Sequence, residues 1–296
     1  MIMETLLVLV ASISIGTNAC ATKPCGYDLT SPNAIYTLPA TLQEISALAY
    51  VNPETFICIE DEHGVLYTFN PTTSLIATQK TFGAEGDYEG IARVDQSMYV
   101  LRSDGRLFEV SGYSSKAPQV KVYETHIPAK DSEGLCYDAT RHRLLIAAKS
   151  GSGDGAEFKD KRMVYAFDLK TMRMRPDPVF TLHMQDITRL ALNAGIALPH
   201  QKKPKKRGAA SPPLVELRPS AIGVHPITGQ LYLLSASSHL LLVCDIDGTV
   251  QHVELLDPEL FNKAEGLTFN EKGDLFISNE GQDKPATILR FTLQGE

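Results

Sequence analysis

Short apolar stretches alternate with turn-forming residues along most of the chain, and a brief phrase opens each group of them. The phrase reads Ser46-Ala47-Leu48-Ala49, Glu89-Gly90-Ile91-Ala92, Glu133-Gly134-Leu135-Cys136, Ser220-Ala221-Ile222-Gly223 and Glu265-Gly266-Leu267-Thr268. Successive first residues are 43, 44, 87 and 45 positions apart. A turn and a second apolar run follow each phrase, over Thr55–Ile59, Ser97–Leu101, Arg143–Ala148, Gln230–Ser235 and Asp274–Ser278. Hairpin-like connections such as Ser103-Asp104-Gly105 and Glu62-His63-Gly64 come next. Alternating runs at Val65–Phe69, Met163–Phe167 and Ile288–Phe291 form a third member, and extended runs such as Gln119–Tyr123 or Thr249–Glu254 a fourth. Four short strands in a unit of about 44 residues predict an all-β fold, a five-bladed β-propeller.

The last unit has three strands before the chain stops at Glu296, while Ala34–Leu38 precedes the first phrase at the distance of an outer strand. The N-terminal strand is therefore expected to complete the final blade and close the ring. The 87-residue interval leaves a six-bladed ring as the alternative. Against it, Asp186–Leu192 reads as a short helix, and His200–Pro213 is rich in Lys, Pro, Gly, Ala and Ser without alternation. The expected organisation is thus a propeller over 33–296, with a long hairpin around Ser150–Asp160 and a basic insertion at about 184–217.

Composition narrows the function classes. With 43% hydrophobic residues the 296-residue chain can bury a core. A formal charge of −7 gives it no electrostatic reason to bind nucleic acid. The longest apolar run, Leu6–Ile15, is too short to span a bilayer but suits the core of an export signal. Small residues running into Cys20 resemble a bacterial lipoprotein processing site. Residues 1–20 are expected to be a signal cleaved before Cys20, the lipidation site, with 21–32 as a tether. That places the protein at the cell envelope, periplasmic or held to the outer membrane by the lipid anchor alone.

The phrase is also where chemistry concentrates. The first strand of a propeller blade lines the central channel, so Glu89, Glu133 and Glu265 are expected to converge near the axis, with Ser46 and Ser220 lining it in the other two blades. Carboxylates crowded together either take up protons or hold a cation. Oxygen donors favour Ca²⁺, which takes about 6–8 such ligands, and no His or Cys shares these positions to favour zinc. The glycine after each glutamate leaves room for close backbone approach.

Asp87-Tyr88-Glu89-Gly90-Ile91, Ser132-Glu133-Gly134-Leu135, Ala264-Glu265-Gly266-Leu267, Arg218-Pro219-Ser220-Ala221-Ile222 and His225-Pro226-Ile227-Thr228-Gly229 resemble the SdiA-regulated family of bacterial envelope proteins. The resemblance runs over roughly residues 33–296. It implies a five-bladed propeller distantly similar to NHL-repeat proteins, with a calcium site in the channel whose acidic residues map onto Glu89, Glu133 and Glu265.

Remaining motifs add little. Lys202-Lys203-Pro204-Lys205-Lys206-Arg207 reads as a solvated loop, Cys58, Cys136 and Cys244 as buried thiols, and Ser150–Gly155 lacks the Lys-Ser/Thr ending of a phosphate loop. Glu60, Lys149 and Glu280 end second strands at the rim, in reach of a ligand. The expected function is a calcium-binding scaffold that recognises a small molecule, glycan, peptide or protein. The alternative is a calcium-dependent hydrolase, lactonase-, esterase- or phytase-like, with Glu280 as base.

Overall fold

The computed structural model describes residues 25–129, 131–149, 160–196 and 215–294, whose strands form five antiparallel sheets. After β1 (Ala34–Thr37) the chain lays down β2 (Ile45–Asn52), β3 (Thr55–Glu60), β4 (Val65–Asn70) and β5 (Leu75–Thr81) as the first blade. β6 (Tyr88–Val94), β7 (Ser97–Arg102), β8 (Arg106–Ser111) and β9 (Gln119–Glu124) make the second. The third holds β10 (Ser132–Asp138), β11 (Arg143–Ala148) and β12 (Lys161–Asp168), and its outer edge is shared by β13 (Arg173–Met174) and β14 (Phe180–His183), both paired to β12. Helix α1 (Met184–Asn193) follows. The fourth blade is β15 (Ala221–Val224), β16 (Leu231–Ser235), β17 (Leu240–Cys244) and β18 (Val250–Leu255). β19 (Ala264–Phe269), β20 (Leu275–Asn279) and β21 (Thr287–Phe291) begin the fifth.

Innermost strands β2, β6, β10, β15 and β19 contact one another in turn, and β19 returns to β2. The molecule is a five-bladed β-propeller. β1 pairs antiparallel with β21, Ala34 opposite Arg290 and Thr37 opposite Thr287, so the first strand of the chain is the outer strand of the last blade. No sixth sheet occurs among the described residues. The long interval holds β13, β14, α1 and residues 197–214, which lie outside the described residues, as do residues 1–24 with Cys20, the 150–159 hairpin and the basic run.

The core is five separate apolar layers, one between each pair of neighbouring blades. The phrase builds them. Its third residue is aliphatic and packs toward the preceding blade: Ile91 joins Ala47, Ala49 and Ile57 of blade one. Leu135 joins Ala92 and Leu101, and Ile222 joins Cys136 and Leu145. Its second and fourth residues are small because they receive that aliphatic from the next blade. A Cβ on Gly90 would stand 2.7 Å from Leu135 Cβ and 2.8 Å from Glu133 O, a clash between backbones rather than flexible tips.

Helix α1 covers the outer edge of the layer between blades three and four. Met184, Ile187, Thr188 and Ala191, spaced at helical period, form its buried face, which packs on β14 and β18. The tether expected over 21–32 is corrected from Cys25 onward. Cys25, Tyr27 and Leu29 are buried in the layer between blades four and five. Tyr27 O–H donates to Gly273 O at 2.5 Å, Tyr232 O–H donates to Cys25 O at 3.0 Å, and the Gln294 N–H donates to Gly26 O at 3.0 Å. A buried aromatic of this size contributes about 1.5–3 kcal/mol of apolar burial, enough to dock a short segment.

Candidate functional site

In four of the five inner strands the register slips by one residue at the phrase. The slips fall between Ile45 and Ala47, Tyr88 and Gly90, Ser132 and Gly134, and Ala264 and Gly266. Ser46, Glu89, Glu133 and Glu265 are thus the extra residues of β-bulges, which turn a side chain out of the ordinary alternation. Ser220 stands just before β15, its N–H donating to Leu234 O at 2.9 Å. A second repeated bond folds the rim inward: the residue after the second strand donates its N–H to the residue two before the phrase. Ser103 donates to Asp87 O at 2.8 Å, Lys149 to Asp131 O at 2.9 Å and Glu280 to Lys263 O at 2.9 Å.

Glu89, Glu265 and Ser220 line one cavity of about 10 Å³ at this end of the channel, the space of a single water. Glu133 lies beside it, with Lys149 Nζ donating to its Oε1 at 2.5 Å. Lys263 donates to Glu280 and stands 3.8 Å from Glu265 Oε1. Glu89 has no hydrogen-bond or ion-pair partner among the described residues. Burial, and after it the charge of Glu133, pushes its carboxyl up to about 9. Burial also pushes Glu265 up to about 7, with Lys263 pulling against it. Glu133 is raised by burial too, opposed by the bond from Lys149. Burial lowers Lys149, but the bond and charge of Glu133 outweigh it and the net shift is upward.

The two channel serines differ. Ser220 is committed, its hydroxyl donating to Ala264 O at 2.7 Å and accepting from the Ala236 N–H at 3.2 Å. Ser46 is 5% exposed and its Oγ has no hydrogen-bond partner among the described residues. On the rim, Glu60 is buried and accepts from the N–H groups of Glu62 and His63 at 3.1 and 2.7 Å, and it meets His63 Nδ1 at 2.9 Å. Glu280, the base the hydrolase alternative requires, is ion-paired to Lys263.

The donors at this mouth are hard oxygens, which suits Ca²⁺ and disfavours zinc. Two carboxylates already have lysine partners, however, and the carboxylate oxygens of Glu89, Glu133 and Glu265 do not all lie within 4.8 Å of one another. An ion in the channel would compete with Lys149 and Lys263 for their oxygens. Lys263 escapes a reading based on glutamates alone, yet the residue two before each phrase runs Glu44, Asp87, Asp131, Arg218, Lys263, a ring of mixed charge visible once the phrases are aligned.

Farther along the inner strands lies a second cavity of about 440 Å³, with Tyr50, Arg93, Asp95, Tyr137 and Glu271 on its wall. Ile91, Leu135, Ile222 and Leu267 line both cavities. They form an aliphatic collar between a charged mouth and a mixed aromatic one.

A ring of this kind, closed by its first strand and charged at one end of its channel, defines a five-bladed channel propeller. Residues 197–292, which include β15 to β21, match the SdiA-regulated family, so the resemblance is met over that stretch, where the phrases at Arg218–Ile222, His225–Gly229 and Ala264–Leu267 lie. The glutaminyl cyclase of Myxococcus xanthus superposes with a TM-score of 0.54 at 16% identity, over 90% of this chain and 97% of that one. A luciferin-regenerating enzyme gives 0.49 at 10% identity, over 90% and 96%. Virginiamycin B lyase from Staphylococcus aureus gives 0.45 at 10% identity, over 88% and 69%. At 16% identity the likeness to the glutaminyl cyclase is one of fold. Among curated proteins, none matches the chain.

Proposed function

We propose that the protein is a binding propeller of the cell envelope that takes up Ca²⁺ at the charged mouth of its channel and presents that mouth to a small molecule, glycan or protein. The observation that carries this reading is Glu89: a half-buried carboxylate without a hydrogen-bond or ion-pair partner among the described residues, close enough to Glu133 and Glu265 to feel their charge. Such a group must bind a proton or a cation to be tolerated. Glu89, Glu133 and Glu265 would hold the ion, with Ser46 as a further oxygen. No step of chemistry is needed for this role.

Calcium titration of the purified protein, followed by thermal unfolding, tests it. Stability should grow as RT ln(1 + [L]/Kd) when the ion binds only the folded ring, and Glu89→Gln should abolish the growth. Equal melting temperatures in millimolar calcium and in EDTA overturn the reading. The envelope location is tested separately by lipid labelling, which Cys20→Ser should eliminate.

A further inference from the structure

We propose a second metal site, unrelated to the channel, in which Cys25, His252 and Glu254 bind Zn²⁺ or a divalent transition ion of the same class. One ligand atom of each residue lies within 4.8 Å of the others. Three protein donors around a four-coordinate ion, with water as the fourth, need only modest closure from that spread, since Zn–S, Zn–N and Zn–O distances run about 2.0–2.3 Å.

The fold brings them together from two directions. His252 and Glu254 are two apart on β18, so strand alternation places them on one face. Their cross-strand partners are Val243 and Leu241, which belong to the layer between blades four and five. Cys25 enters that same layer from the N-terminal segment, held by the bond from Tyr232 to its carbonyl. His252 Nε2 and Glu254 Oε2 are already 2.8 Å apart, so the two donors face one another and an ion entering between them would replace that bond. Thiolate, imidazole and carboxylate together select a borderline ion rather than Ca²⁺. The site is also open enough to load, because the His252 and Glu254 side chains are 17% and 38% exposed while Cys25 is buried behind them. Metal binding would fasten residues 25–29 to the fourth blade.

The test uses the full chain, reduced and stripped of metal, with millimolar Ca²⁺ present throughout so that hard-ion binding is already saturated. Co²⁺ is titrated as a spectroscopic probe and Zn²⁺ is then added in competition. We expect one equivalent of Co²⁺ to produce a thiolate-to-cobalt charge-transfer band with tetrahedral visible bands, and Zn²⁺ to bleach both. Cys25→Ser should remove the charge-transfer band, and His252→Ala should weaken binding at least about 10-fold. His252→Ala lies on an outer strand and keeps the experiment decisive if Cys25→Ser misfolds. Glu89→Gln should leave the cobalt spectrum intact, which separates failure here from failure at the channel. Absence of the charge-transfer band in the wild-type chain, or unchanged affinity in His252→Ala, overturns the proposal.

Discussion

Lys149 Nζ lies 2.5 Å from Glu133 Oε1, so the third blade carries its own counter-cation to the mouth of the channel. Glu133 is buried and Lys149 is 39% exposed on its side chain. The lysine is therefore the partner able to move, and it competes with any free cation for the same oxygen.

Lys149→Met removes that competitor. In the absence of divalent ions it should destabilise the fold by about 1–3 kcal/mol, less than a fully buried pair would lose because Lys149 is partly in water. Calcium affinity should rise in the same variant. Isothermal titration and denaturant unfolding measure the two effects, and a fall in calcium affinity would show that Lys149 assists the ion.

Stability should fall with pH when calcium is absent. Glu89 and Glu265 are raised from 4.5 to about 9 and about 7, so the fold favours their protonated forms. Their contribution is complete below about pH 4.5 and is lost as pH rises through 7 and on toward 9. Melting temperatures in EDTA between pH 5 and 9 should decline by this route. Glu89→Gln should flatten the upper half of the curve, and an unchanged slope in that variant would refute the assignment.

Gly90→Ala should destabilise the ring by about 1–3 kcal/mol, an overpacking effect. Its added Cβ would meet the backbone of blade three at 2.8 Å, where a side chain cannot swing aside. The alanine at the equivalent place in blade one, Ala47, shows that the penalty comes from local spacing and not from the phrase itself. Denaturant midpoints compare the two proteins directly.

Tyr27→Phe tests whether the entry segment is docked. Losing the O–H that donates to Gly273 O should cost about 1 kcal/mol and increase proteolytic cleavage near residue 25. No change in either measurement would return this segment to the status of a tether.

The blades were legible because each strand needs only period-two alternation and a turn, both local properties of the sequence. The closing strand was legible too, since Ala34–Leu38 fills a place the last unit lacks. The bulges were not: Glu89-Gly90-Ile91 is equally compatible with a regular strand, and the slip at Glu89 exists only against Arg102 and Leu101 across the hairpin. The lysine partners of the glutamates were hidden for a related reason. Lys149 meets Glu133 across a hairpin, and Lys263 meets Glu280 through a rim bond between β19 and β20. The docking of Cys25 and Tyr27 left no trace in periodicity because a few buried side chains in an irregular segment have none.

The pairing of β1 with β21 joins residues 250 or more positions apart, Ala34 to Arg290 among them. During synthesis β1 cannot take its place in the sheet until β21 has emerged. Assembly of this ring is thus bound to finish late and slowly, as long-range β pairing does. Any interruption of translation upstream of β21 would leave the fifth sheet unfinished.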